Sequence, residues 1–437
     1  MLSRGFIVLW FAMLIAMAGI GMVSPLLPIF VRDDLGGPEV AVALSFSGVA
    51  VTQMFLSPFV GRLGDRFGAK PFLVIGFLIY GTVGFGYLLA SHWEQVIALR
   101  IVSGLGVTLI FPLSMAYIGR LAPAGREGEL MGAFSVAQIA GFGLGPLMGG
   151  VVRDGFGSDI AFASMAILLA GTGLLVLVLL PPRPRPPGTP EDYEAPDEPR
   201  LSFRELIERR FVQAVMVSGV LGSLSFAASG AFLAVYVVSE EGLGTGSATF
   251  VGILFGARAL MGAVLQPLFG RLADRVNRVM LVVLGLGLAS VLQFSIPNVP
   301  SDTVDGSLFG AAYTVLPWLL LVYLLLGAAE SIAFPAQAAI FVTAGRTTGM
   351  GSIMGMQQMA GSFGFLGGSL IGAWVVSTFG IENVFRYSGI GIAAGAVLFF
   401  ILIQRAAPEI REAERYAARS QQAAGQEPSQ DEGTAGR

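Results

Sequence analysis

Residues 57–70 read SPFVGRLGDRFGAK, and residues 266–279 read QPLFGRLADRVNRV. Both carry a proline, then an apolar pair, then a G-R-L-x-D-R core, at a separation of 209 positions. Other pairs line up at 223. Phe111-Pro112 matches Phe334-Pro335, GFGLGPLMGG (141–150) matches GFLGGSLIGA (364–373), and Phe156-Gly157 matches Phe379-Gly380. The 14-residue increase falls in a longer, polar loop of the second copy. A duplicated unit of this length is the first thing the sequence fixes about the architecture.

The surroundings of these motifs are apolar. Of 437 residues 54% are hydrophobic and 13% charged, with a mean hydropathy of +0.75. A soluble chain carries about a quarter charged residues. Continuous blocks such as Gly5 to Val31 and Ala161 to Leu180 have the length of a bilayer crossing. Continuity without alternation predicts helices instead of a barrel. The first block begins at the fifth residue and lacks a small-residue cleavage site, so it reads as a retained helix.

Punctuation at charges and turn residues gives twelve spans, at 5–30, 38–60, 71–90, 93–119, 128–152, 160–180, 211–238, 247–269, 279–298, 313–344, 350–376 and 383–404. The expected organisation is a six-helix bundle over 1–180, a linker over 181–210, a second bundle over 211–404 and a tail over 405–437. PPRPRPPGTPEDYEAPDEPR (181–200) is too rich in proline and acid to pack, and LSFRELIERR (201–210) is amphipathic. Twenty-one basic residues fall on the side of the N-terminus and three on the other, predicting both termini in the cytoplasm of a plasma-membrane protein.

The same inventory narrows the chemistry. With no cysteine and a lone His92, neither a disulfide, a metal centre nor a cofactor is expected. No nucleotide-binding loop or nucleophile–base set supports an enzyme, and the net charge of −3 gives no reason to expect nucleic acid. The expected partners are the bilayer, a small-molecule substrate and protons, with the chain as a monomer.

Two parallel six-helix repeats joined by a linker are a transporter plan, with the substrate held between the halves. Along essentially its whole length the chain resembles the major facilitator superfamily, an all-α fold of two pseudo-symmetric six-helix bundles. GRLGDRFGAK (61–70) resembles the family's loop motif G-x-L-x-D-R-x-G-x-K, with Ala69 where many relatives carry a base. The resemblance implies a cytoplasmic latch of Gly61, Asp65, Arg66, Gly68 and Lys70 in which Asp65 meets the start of span 11. Pseudo-symmetry implies a second, with Asp274 and Arg275 against span 5. The glycines are expected to supply the tight turn between two helix ends.

ALRIVSGLG (98–106) resembles the span 4 motif R-x-x-x-G-x-G. In proton-coupled relatives its arginine, here Arg100, is associated with proton transfer. Pairing with Asp33 or Asp34 at the end of span 1 is the structural alternative. The run 141–150 matches G-x-x-x-G-P-x-x-G-G, the span 5 motif of drug and metabolite antiporters. Gly141, Gly145, Pro146, Gly149 and Gly150 are expected to give a smooth face for close contact between the halves.

Two interior charges belong to the second half. Arg258 and Glu330 sit at similar depths in spans 8 and 10, placed to face one another. They are read either as a proton- or substrate-coupling pair or as a static ion pair. Span 1, where several proton-coupled exporters of the superfamily carry a carboxylate, has none in its interior, which moves the expected proton carrier to Glu330. Gln53, Gln138, Ser225, Ser229 and Gln357 are candidate cavity residues, and Met13, Met17 and Met22 offer an adaptable apolar wall. The expected function is proton-coupled efflux of a small amphipathic or neutral molecule by alternating access. The alternative is a sugar or organic-acid uptake symporter or facilitator.

Overall fold

The computed structural model describes residues 3–121, 127–181, 208–273, 275–308, 311–348 and 350–424. Among the described residues eleven helices are long and apolar enough to cross a membrane, and a bent pair makes a twelfth span. Span 1 is Arg4–Val23 with its continuation Leu26–Ile29 and a π turn, Phe30–Asp34; span 2 is Glu39–Ser47 joined to Val49–Phe67. Spans 3 to 6 are Ala69–Leu88, Trp93–Leu121, Glu127–Phe156 and Ser158–Leu179. Spans 7 to 12 are Arg210–Val238, Ala248–Ala273, Arg278–Ser295, Pro317–Thr348, Met350–Phe379 and Ile381–Ala424. In hydrocarbon a helix satisfies its own backbone, and neighbouring helices let it keep internal prolines such as Pro112, Pro146, Pro267 and Pro335. Most of the linker, 182–207, lies outside the described residues.

Local geometry departs from the sequence expectation in three places. Span 2 bends by 43° at Gly48 and then runs helical through Phe67. Gly61 and Gly64 are therefore inside a helix, and the turn into span 3 is made by Gly68 alone, at φ 84°. That left-handed conformation costs a Cβ-bearing residue, so a single glycine suffices where three had been expected. Gly157 and Gly380, the paired glycines of the repeat, make the equivalent one-residue turns into spans 6 and 12. The third departure is the loop before span 10. It pairs β1 (Val304–Leu308) with β2 (Ala311–Val315) as an antiparallel hairpin, so span 10 starts at Pro317 instead of 313. Val304, Tyr313, Thr314 and Val315 suit a strand, and Thr314 hydroxyl donates to Asp305 at 2.8 Å.

Packing follows the duplication. Gly141, Gly145 and Gly149 of span 5 lie directly on the backbone of span 1 at Leu14, Ala18 and Met22. Their repeat partners Gly364, Gly368 and Gly372 of span 11 lie on span 7 at Val220, Leu224 and Ala228. A side chain at any of these six positions would drive the helices apart. The main face of the glycine-rich run thus serves packing within each half, which corrects the expectation that it serves contact between halves.

A second set of small residues does join the halves. Gly150 abuts Ala248, Gly252 abuts Pro146, and Gly143 and Gly256 face each other across spans 5 and 8. On the other flank the Ser369 hydroxyl donates to Ser47 Oγ at 2.5 Å, and Phe46 stacks on Phe365 with centroids 5.2 Å apart. Among the described residues these bridging contacts lie in the half of the helices away from the chain termini, hereafter the far side. The molecule is closed there.

Candidate functional site

Arg258 and Glu330 meet. Gly327 lets span 10 approach the Arg258 carbonyl of span 8, which brings the side chains one turn on into register. Arg258 Nε donates to Glu330 Oε2 at 2.9 Å, and the adjacent Nη2 donates to Oε1, a two-pronged charge-assisted pair. The guanidinium carbon also sits 5.2 Å from the centroid of the Phe226 ring, a cation–π contact. Burying two charges costs several kcal/mol each, and only this near-complete geometry offsets it.

The pair is half-buried. It faces a cavity of about 660 Å³ in the second half, where Ser225, Ser229 and Gln357 also line the wall. Gln266, Gln293, Gln337 and Ser223 complete its polar surface, with Phe226, Phe334 and Phe399 among the apolar residues. Gln53 is half-buried on span 2 and Gln138 half-buried on span 5, and neither borders this cavity.

Arg100 is placed differently from the structural alternative. Asp33 and Asp34 are exposed at the far end of span 1. Arg100 instead donates to Tyr80 Oη at 2.9 Å, to the Phe46 carbonyl at 3.3 Å and to Ser24 Oγ at 3.5 Å. Gly48, at the bend of span 2, makes room for the arginine stem. The motif's glycines pack: Gly104 lies against Val49 and Thr52, and Gly106 against Gly76. Met17 borders a smaller chamber beside Arg100, whereas Met13 and Met22 are core.

The far-side closure has a polar seal that sequence reasoning missed. Asp154, at the end of span 5, accepts from the backbone N–H of Thr249 at 2.7 Å and of Ala248 at 3.1 Å. The Ser247 hydroxyl adds a contact at 3.3 Å. A carboxylate of one half thus caps a helix start in the other, where the dipole favours negative charge. Arg32 adds an ion pair with Glu241 across the same gap and another with Glu39 at 3.3 Å.

Of the loop motifs less is placed. The side chains of Asp65 and Arg66, the surroundings of Gly61, and all of Asp274 lie outside the described residues; Lys70 is half-buried in the first turn of span 3 and Arg275 is exposed.

A family model described as Major Facilitator Superfamily matches residues 9–304 and 245–427. The chain belongs to the major facilitator superfamily. It is therefore a membrane transporter and not an enzyme. Among curated members, a multidrug resistance protein MdtG of Enterobacter lignolyticus is 26% identical over 410 residues, covering 92% of this chain and 93% of its own. An uncharacterized MFS-type transporter, MJ1560 of Methanocaldococcus jannaschii, is 24% identical over 408 residues, covering 92% and 99%. Two solved members share the fold. The nucleoside transporter NupG has a TM-score of 0.71 at 15% identity, and the human organic anion transporter MFSD10 (TETRAN) 0.60 at 19%. Each comparison spans 91% of this chain and 99% of the other.

Within this superfamily member the missed residues fall into two kinds. Gln266 and Gln337 had a signal, since each stands beside a repeat motif, Gln266-Pro267 and Pro335 two residues before Gln337. Asp154 had none, because its partner is a helix start 94 positions away.

Proposed function

We propose that this transporter exports a small amphipathic molecule in exchange for protons, by alternating access, from a plasma membrane in which both termini are cytoplasmic. The observation that carries the reading is the Arg258–Glu330 pair set in the wall of a cavity large enough for a drug-sized cargo. The multidrug resistance proteins among the relatives support efflux, as does the span 5 motif. In this reading the bundles 1–180 and 211–404 rock about the linker 181–210, and the tail 405–437 stays cytoplasmic. The far side is the external side, so the structure corresponds to the externally closed end of the cycle.

Cargo entering from the cytoplasm binds with Glu330 deprotonated and paired to Arg258. With cargo bound, the latches at Asp65 and Asp274 close the cytoplasmic mouth as the Asp154 seal opens. Protonation of Glu330 from the external side after cargo release frees Arg258 and favours return to the externally closed state. The working unit is a monomer. Everted vesicles carrying the protein provide the test: with a ΔpH imposed, adding cargo from a panel of amphipathic compounds is expected to collapse part of the gradient. No collapse across the panel counts against antiport, and cargo-dependent proton movement in the same direction as the cargo identifies an uptake symporter instead.

A further inference from the structure

The interior of the twelve spans carries three charges, Arg100, Arg258 and Glu330. Two of them neutralise one another. Arg100 is left over, in a part of the molecule where an uncompensated charge is most costly.

Its surroundings do not resolve that imbalance. Arg100 is 3% exposed, and the groups around it, the phenols of Tyr80 and Tyr87, the Ser24 hydroxyl and the Phe46 carbonyl, are all neutral. Among the described residues no carboxylate stands within ion-pair distance of it, and its Nε–H is buried without an acceptor. A guanidinium has five N–H donors in a fixed fork, suited to a planar or tetrahedral oxyanion. Beside it lies a separate chamber of about 200 Å³. Phe46, Phe111 and Phe142 of the first half and Phe226, Phe255 and Phe365 of the second form its walls. Apart from Arg100, its polar groups are Ser24 and Tyr80, which already hold the guanidinium in place.

We propose that Arg100 is the docking point for an anionic group on the cargo, so that the transported molecules are amphipathic monoanions: a carboxylate or sulfonate on the guanidinium and an aromatic or aliphatic body among the phenylalanines. The inference depends on the efflux reading only for the direction of movement. It accounts for a buried cation without a counter-ion, because the counter-ion arrives with the substrate. It also links binding to the rocking motion, since the chamber is built from both halves and Phe226 touches both this chamber and the Arg258 guanidinium.

The test uses the full chain in lipid nanodiscs and three matched probes: 2-naphthoate, its neutral methyl ester and the cationic 2-naphthylmethylammonium. Binding is read by equilibrium dialysis. Naphthoate is expected to bind at least about tenfold more tightly than the other two, the value of one charged hydrogen-bonding contact. Arg100→Gln is expected to bring acid and ester to parity, and Arg100→Lys, which keeps charge but loses the fork, to reduce the preference severalfold. The proposal is overturned if the native protein binds the ester or the ammonium as tightly as the acid, or binds none of the three. An undiminished acid preference in either variant also overturns it. The native comparison decides the matter even where Arg100→Gln does not fold. A clear acid preference with no ΔpH-driven transport removes the efflux reading and keeps this one; ΔpH-driven transport of the ester without acid preference does the reverse.

Discussion

At Glu330 two oxygens accept from one guanidinium while the carboxylate borders the cavity of about 660 Å³. The geometry would be the same for a static brace and for a proton carrier, but the responses to substitution differ. Glu330→Gln keeps the shape and mimics the protonated state. Transport is expected to lose its dependence on ΔpH while cargo still binds, which counterflow at equal pH on both sides reads directly. A retained ΔpH dependence would make the pair a brace. Removing the partner is harsher: Arg258→Leu leaves a half-buried carboxylate unpaired and is expected to lower the thermal stability of the protein.

At the scale of elements, small residues decide which helices touch. Spans 1 and 5 and spans 7 and 11 interlock through glycine ladders that repeat at 223 positions. Between the halves spans 5 and 8 meet through Gly143, Gly150, Gly252 and Gly256, and the Asp154 cap, the Arg32–Glu241 pair and the Ser47–Ser369 contact add polar links. Asp154→Ala removes the cap, which is worth about 1 kcal/mol, and should shift the balance toward the far-side-open state by about fivefold. Labelling of a single engineered cysteine at Val251, buried one turn into span 8, reports the shift. Unchanged labelling would show that the cap does not hold the joint.

For the whole molecule, the absence of native cysteine makes a locking experiment clean. Ser47 and Ser369 meet across the halves at 2.5 Å between hydroxyl oxygens. The double variant Ser47→Cys with Ser369→Cys places two sulfurs within bridging reach. Oxidation is expected to arrest transport nearly completely, with binding from the terminal side preserved, and reductant to restore it. Full activity in the oxidised protein would mean that this joint never opens in the cycle.

Much of this was legible without coordinates. The long apolar blocks fixed twelve spans because a bilayer sets helix length, and the repeated G-R-L-x-D-R and glycine runs fixed two equivalent halves. Matching depths along a regular helix were enough to bring Arg258 toward Glu330. Three matters were decided only by the tertiary structure: the face that each glycine presents, the neutral company of Arg100, and the Asp154 cap. Each depends on how helices distant in sequence are rotated and inclined against one another. Hydropathy constrains that weakly, since lipid and protein are both apolar and a helix facing either reads alike.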